Sequence, residues 1–471
     1  MHDNLRREPR LAVNWAVILV VIGVLLRFGL WLWVSRNPPL LIQGDGAGYE
    51  LIARNVIEGN GFSMDSAPPY APDMLRTPGY PLFIIGVYLA AGYRPEIVTL
   101  IQNVLSLITL YIAYRLAIHL FDAKAARIAL VLMAVDIGTI ILANVTLTES
   151  LFMVLLLPAT YCLFKGLDSP YRLTWMAAAG ILLGFATLVR PASLYLVLLL
   201  LPFVWWAMRR PWQETAARAV TLLVAFLLAL SPWSFRNLRF FSSPNISLAQ
   251  TVTITYHAKY LRAALYHTPL SEQEPYYERE VLRELGGRTV NAVEMNNLIE
   301  AKARAEIMQH PVEYVALYAK STALMLVLPN TNFLANILGI LDRPTGLIAD
   351  MRTRGLTENV QALVDFSVRF LAGSPDQALF FAALVAEMMV LFLTYVLAVI
   401  GIIAGLRSQH KTAVVMLLAI IGYFFAVTGP IGTGRYRLPA MPYLTMLAGY
   451  GFVQIEAWRQ ARRSRRLGVS Q

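Results

Sequence analysis

Apolar runs of about 20 residues recur along this chain, beginning with Val13 to Val34. Each is long enough to cross roughly 30 Å of hydrocarbon as a helix. A helix pairs its own backbone N–H and C=O groups, which any segment inside a bilayer must do. Only 15% of the 471 residues are charged and 57% are hydrophobic, where a soluble protein carries about a quarter charged residues. The expected fold is therefore an all-α polytopic membrane protein. The first run lacks a small-residue cleavage site and exceeds a signal-peptide core in length, so it is expected to stay as a span.

The net charge of +11 is distributed as a cytoplasmic leaflet favours. Arg6, Arg7 and Arg10 lie before the first run, and "RQARRSRR" spans Arg459 to Arg466. Basic flanks stay inside, so both termini are expected in the cytoplasm, joined by an even number of crossings. Ten can be threaded: Val13–Val34, Ile97–Leu120, Ile128–Leu147, Leu151–Phe164, Leu173–Val189, Leu194–Met208, Ala219–Leu230, Leu379–Leu406, Ala413–Val427 and Leu438–Val453. Two shorter apolar pieces, Gly79 to Gly92 and Tyr314 to Pro329, are expected to lie half-inserted or on the surface, or else to raise the count to twelve. The expected organisation is an N-terminal transmembrane catalytic module (1–236) with an external loop (35–78), an external or juxtamembrane region (237–378), C-terminal transmembrane helices (379–456) and a basic cytoplasmic tail (457–471). The single Cys162 sits in an apolar run, which excludes an intrachain disulfide and reads as a buried structural thiol.

Sorted by side, the polar residues gather. Asp45, Glu58, Asp65, Asp73 and Arg76 fall in the first external loop. Glu149, Arg190, Arg236, and the pair Arg435 and Arg437 fall at later external junctions. Ionisable groups near the hydrocarbon boundary are costly unless they pair or line a cavity, so agreement on one face points to a shared site. A guanidinium fork suits phosphate oxygens, and a carboxylate between glycines, as in "GDG" at Gly44 to Gly46, can approach a substrate and act as general base. Acid plus phosphate clamp suits displacement of a lipid phosphate from a sugar by a hydroxyl or amine. Asp45 and Glu149 are the candidate catalytic acids. Arg76, Arg190, Arg236, Arg435 and Arg437 are the candidate phosphate ligands, and Tyr49, Tyr80 and Arg27 the candidate acceptor or groove residues.

Each candidate has a plainer reading. "GDGAGY" is not a dinucleotide loop, because no strand precedes it and no Walker lysine follows. Asp45 stands where an N-cap would. Glu149 could bond locally, and Arg190 and Arg236 could reach headgroups. Arg27, deep in the first span, is expected to face a cavity rather than lipid. Asp136 could serve helix packing. His257, His267 and His310 lack metal-ligand spacing.

Six strings, "GDGAGYELIARNVIEGNGF", "RTPGYPLFI", "TESLF", "LVRPASL", "PWSFRN" and "RYRLPAMPYL", occur in this order. Together they resemble the GT-C superfamily, in particular the family 39-type membrane glycosyltransferases, which include protein O-mannosyltransferases and the bacterial aminoarabinose transferases that modify lipid A. The resemblance runs to about Gly449 and is thinner between Leu248 and Ala378. It implies a bundle of about 10 to 12 transmembrane helices with external juxtamembrane helices and a small external subdomain. It also implies transfer of a sugar from a polyprenyl-phosphate carrier to an acceptor on the extracytoplasmic side, with inversion. The family's catalytic aspartate matches Asp45 and its second acidic position matches Glu149. Many relatives carry two adjacent acids where this chain has Asp45-Gly46, so no tightly required metal is expected, and a divalent ion is at most an optional cofactor.

The expected function is therefore a polyprenyl-phosphate-dependent glycosyltransferase in a bacterial cytoplasmic membrane. Its partners would be the lipid-linked donor and a lipid, glycan or protein acceptor, with no nucleic acid. Gly79 to Gly92 would line the prenyl groove. Two alternatives share the basic groove: a flippase for a lipid-linked saccharide, which broken helices and inverted repeats would favour, and a glycan ligase using a diphosphate-linked donor.

Overall fold

A computed structural model describes residues 15–207, 211–273, 275–330, 332–340, 361 and 374–466. Arg6, Arg7, Arg10, most of 341–373 and the last residues of the tail lie outside the described residues. Among the described residues every regular element is helical. Seven helices are long and apolar enough to cross a membrane: Trp15–Val34, Pro95–Leu120, Glu149–Asp168, Arg172–Val189, Trp212–Phe241, Pro375–Leu406 and Lys411–Ile431. The protein is a multi-span membrane protein. The remaining three expected crossings correspond to a bent pair, to the short apolar helix Pro191–Ala207, and to Met441–Arg466, whose second half carries the basic tail.

The bent pair replaces the straight crossing expected from Ile128 to Leu147. Ala123–Ala134 and Ile137–Ala143 meet at 56°. The break is local: Asp136 holds the N-cap position of the second piece and its carboxylate accepts from the Gly138 amide at 3.2 Å, an alternative to continuing the helix. Carbonyls freed at the end of the first piece are met from the side. Arg27 donates to Ala134 O at 2.5 Å and Met133 O at 3.3 Å, and to Thr139 Oγ1 at 3.2 Å. Arg27 thus lies buried and lines a small cavity of about 40 Å³ rather than facing lipid.

A second departure concerns "SPWSFRN". Hydropathy ends the crossing at Leu230, yet the helix continues through Pro232 to Phe241 and stops at Ser242, whose φ of 54° is left-handed. Thirty residues span about 45 Å at roughly 1.5 Å each, so its last turns project beyond a hydrocarbon core. Beyond it, Ala249–Tyr266, Tyr276–Leu285 and Ala292–Gln309 pack round Ala258, Tyr277 and Ala303. Gly79–Ala91, at thirteen residues, is too short to cross, and packs against Gly46–Ile57 and Arg172–Val189. Small residues set the closest helix approach, as interfaces without a hydrophobic driving force require. A Cβ at Gly401 would lie 1.9 Å from Leu447 O, and one at Gly451 2.0 Å from Leu397 O, joining Pro375–Leu406 to Met441–Arg466.

Candidate active site

Asp45 ends a tight entry into the helix Gly46–Ile57. Gly44 before it has φ of +54°, and Gly46 after it lies against Thr146, where a Cβ would sit 2.6 Å from the carbonyl oxygen. A second acid in place of Gly46 would collide with that strand of chain. Asp45 occupies the N-cap position, but its side chain caps nothing. Its Oδ1 instead accepts from Arg76 Nη2 and its Oδ2 from Arg435 Nη1, both at 2.9 Å.

Glu149 opens the helix Glu149–Asp168, only 3% of its side chain exposed. It accepts from Arg190 Nη1 at 2.7 Å and from Arg435 Nε. Arg190 projects from the end of Arg172–Val189, in the extended conformation (φ −144°, ψ 111°) that a following proline favours. Arg435 comes from a 3-10 segment, Gly434–Ala440, and bridges the two carboxylates. Two carboxylates about a hundred positions apart in sequence therefore share one guanidinium, itself 390 positions beyond Asp45.

Aromatic rings hold the cations in place. Arg76 lies 5.0 Å from the Tyr49 ring centroid and Arg190 5.2 Å from that of Tyr436, within the range of cation–π attraction. Tyr49 meets Tyr80 edge-on at 5.0 Å. Tyr80 is fully buried and donates to Gln102 Oε1 at 2.5 Å, and Gln102 donates to Val145 O at 2.7 Å, which fixes the chain leading to Glu149.

These groups face a cavity of about 400 Å³. Asp45, Tyr49, Arg76, Thr148, Arg190, Arg435 and Tyr436 form its polar part, and Pro191, Ala192, Tyr195, Ile254, Val427 and Ile431 its apolar part. Glu149 does not line it. It stands behind Arg190 and Arg435, on the wall shared with the Arg27 cavity. Burial pulls the Asp45 carboxyl upward, but Arg435 and Arg76 outweigh it and hold the group well below the usual carboxylate range. Burial works against the charge on Arg435, yet Glu149 and Asp45 keep it firmly protonated. Burial also raises the Tyr49 phenol and the Asp73 carboxyl.

Three guanidiniums against two carboxylates leave one surplus positive charge, suited to a phosphate. The donor set does not fit a divalent metal. Both carboxylates already serve arginines, and no group of three His, Cys, Asp or Glu side chains lies together among the described residues.

Four candidates from the sequence stand elsewhere. Arg236 donates to Asp73 O at 2.8 Å and sits among Phe62, Trp233, Phe240 and Phe241, so it fastens the loop at Asp73 to the projecting helix end. Arg437 is 1% exposed and points away from the cavity into Glu387 and backbone carbonyls. Arg27 fills the helix break, and Tyr80 acts behind Tyr49. Gly79–Ala91 supplies no residue to the lining of this cavity. Sequence reasoning missed Tyr436, within a string it quoted, and Glu387, whose only signal is an acid inside an apolar helix.

Residues 75–235 match the family described as dolichyl-phosphate-mannose-protein mannosyltransferase. The oligosaccharyltransferase AglB from Archaeoglobus fulgidus, in complex with an inhibitory peptide and a dolichol-phosphate, superposes with a TM-score of 0.53 at 13% identity, over 97% of this chain and 52% of that one. The Archaeoglobus fulgidus oligosaccharyltransferase tethered with an acceptor peptide containing the NVT sequon gives 0.53 at 13% identity, over 98% and 52%. ArnT from Cupriavidus metallidurans bound to undecaprenyl phosphate gives 0.38 at 14% identity, over 94% and 78%, too low a score to argue from. The chain spans about half the length of the oligosaccharyltransferase it matches. A comparison with curated protein sequences finds no match. The family match covers about a third of the chain, and the fold is shared with about half of the oligosaccharyltransferase.

Proposed function

We propose that this protein, whose sequence and fold both lead to the lipid-phosphate-dependent membrane glycosyltransferases, moves a sugar from a polyprenyl-phosphate carrier to an acceptor. The reading places the reaction at the extracytoplasmic face of a bacterial inner membrane, with both termini in the cytoplasm. The observation that carries it is Arg435 held between Asp45 and Glu149, with Arg76 and Arg190 closing the ring over one cavity.

The chemistry follows from that pairing. A carboxylate held by two guanidiniums is a weak base, so Asp45 is poorly suited to its task while the donor is absent. A donor phosphate offers oxygens to the same guanidiniums. As Arg76 and Arg435 turn to the phosphate, Asp45 loses its counter-ions and its affinity for a proton rises. It then takes the proton of the acceptor hydroxyl or amine. The acceptor forms a bond to the anomeric carbon from the face opposite the phosphate. The carbon–oxygen bond to the phosphate breaks, and the electron pair stays on the phosphate oxygen, where the arginines stabilise it. Polyprenyl phosphate leaves. Glu149 keeps Arg190 and Arg435 aimed throughout.

The test is sugar transfer in purified membranes, with polyprenyl-phosphate donors carrying several radiolabelled sugars and a diphosphate-linked donor alongside. Native protein should release free polyprenyl phosphate, and Asp45→Asn should slow transfer about 10²- to 10⁴-fold, the usual contribution of a general base. Equal transfer by the two proteins would remove Asp45 from the mechanism. Among the described residues, the broken span at Asp136 is a feature favouring a flippase. Its freed carbonyls are, however, closed by Arg27 inside the protein. Donor translocation across proteoliposomes without any turnover would favour that reading instead.

A further inference from the structure

Arg435 and Arg437 sit two residues apart on the Gly434–Ala440 segment and leave it toward different surroundings. Arg435 reaches the cavity. Arg437 Nη1 donates to Met325 O at 2.7 Å, Leu326 O at 3.1 Å and Leu328 O at 2.9 Å, carbonyls at the end of the helix Pro311–Val327. Helix ends leave such carbonyls without intrahelical partners. Its Nη2 donates to Glu387 Oε1 at 3.2 Å. Glu387 comes from the interior of Pro375–Leu406 and also accepts from the Asn330 amide, at 2.9 and 3.0 Å to its two oxygens, and from Asn330 Nδ2 at 3.2 Å. Acid and base therefore grip one short stretch, 325–330, from two sides. Glycines let them close: a Cβ at Gly434 would lie 2.5 Å from Leu328 O, and one at Gly138 2.6 Å from Asn330 Nδ2.

Glu387 is 0% and Arg437 1% exposed. A buried ion pair is seldom more stable than the apolar side chains that could replace it, and an acid within a membrane helix is costlier still. Bulk stability is a weak reason for such a pair. Direction is a better one. The segment that presents Arg435 is a turn of only seven residues, and two positions beyond Arg435 the Arg437–Glu387 pair ties it to the 325–330 stretch.

We infer that Glu387 is a positioning residue for the candidate active site: through Arg437 it fixes the 434–440 segment, and so the placement of Arg435 on the donor phosphate. The identity of the anion rests on the function proposed above, whereas the anchoring does not. Full-length protein in detergent would be compared as native, Glu387→Gln and the neutral pair Glu387→Gln/Arg437→Gln. The readouts are amide hydrogen exchange over 434–440, binding of undecaprenyl phosphate as probe, and thermal denaturation.

Glu387→Gln should raise exchange over 434–440 and weaken probe binding, each about tenfold, the size of coupling such networks carry. The neutral pair should regain thermal stability, since no unpaired charge is left buried, but neither native exchange nor native binding. Native exchange and binding in the neutral pair would overturn the inference, because the two charges would then only neutralise each other. Unchanged exchange over 434–440 in Glu387→Gln would overturn it equally. If native protein binds no probe, the proposed function fails, while the exchange comparison still decides the anchor.

Discussion

Replacing Arg435 by alanine withdraws one cation from between two acids that differ in burial, and the consequences can be apportioned. Glu149 keeps Arg190 at 2.7 Å but is only 3% exposed, so losing one charge-assisted bond there costs about 1.5–3 kcal/mol. Asp45 keeps Arg76 at 2.9 Å and its side chain is 35% exposed, so water screens the loss to under about 1 kcal/mol. Folding stability should fall by roughly 2–4 kcal/mol. Donor binding should also lose one of three phosphate contacts, about 1.5–3 kcal/mol, or roughly 10- to 150-fold in Kd. Arg435→Lys preserves the charge but not the bridge, because Nε serves Glu149 while Nη1 serves Asp45, and one ammonium has no such fork. Its affinity should fall between native and alanine. The assay is undecaprenyl phosphate binding by the purified protein, paired with thermal denaturation. Native affinity in a folded Arg435→Ala protein would refute the assignment of this arginine to the phosphate.

Three further outcomes are expected. The lowered Asp45 carboxyl contributes stability that is present above the ordinary aspartate value of about 4 and is lost as pH falls through its native value; thermal denaturation from pH 7 downward should show this acid loss in native protein and less of it in Asp45→Asn. His257 is buried, which depresses its imidazole to about 4 despite a bond with Thr428. Its contribution is complete above about pH 6.5 and declines as pH falls toward 4, so His257→Phe should flatten the stability profile across that window. Gly46→Ala puts a Cβ 2.6 Å from Thr146 O; overpacking of this kind should cost about 1–3 kcal/mol, and denaturation at the native midpoint would show Thr146 yielding freely.

The bundle was legible because apolar length is a direct signal, and seven of the ten expected crossings have a helix long and apolar enough to span. The site was partly legible for a related reason. Asp45, Arg76, Glu149, Arg190 and Arg435 are charged residues at the ends of apolar runs, and the structure brings all five together. What a one-dimensional reading lacks is direction. Arg435 and Arg437 look equivalent in "RYRLP", and only the course of the 3-10 segment sends one to the cavity and the other into Glu387. Hydropathy averaged over a span also hides short features. It passes over the break at Asp136, and it ends at Leu230 a crossing whose helix carries on to Phe241. Glu387 escaped notice for the same reason, since thirty-one other residues of its helix outweigh one acid.

The stretch at Gly44 to Gly46 also explains why a single acid stands at this turn. The backbone turns through a left-handed glycine, places Asp45 toward Arg76 and Arg435, and then passes hard against Thr146, leaving no room for a second side chain. A lone carboxylate among three guanidiniums, with Glu149 behind them, has consequences for the order of events. Without a donor the acids and bases satisfy one another, and Asp45 is too weakly basic to take a proton. The surplus positive charge still draws a phosphate. On the proposed reading, binding of that phosphate is what releases Asp45. An acceptor arriving first meets a base already engaged by two arginines, and one arriving second meets a base set free. On that reading donor binds before acceptor, an order that follows from the charge pairing of the site.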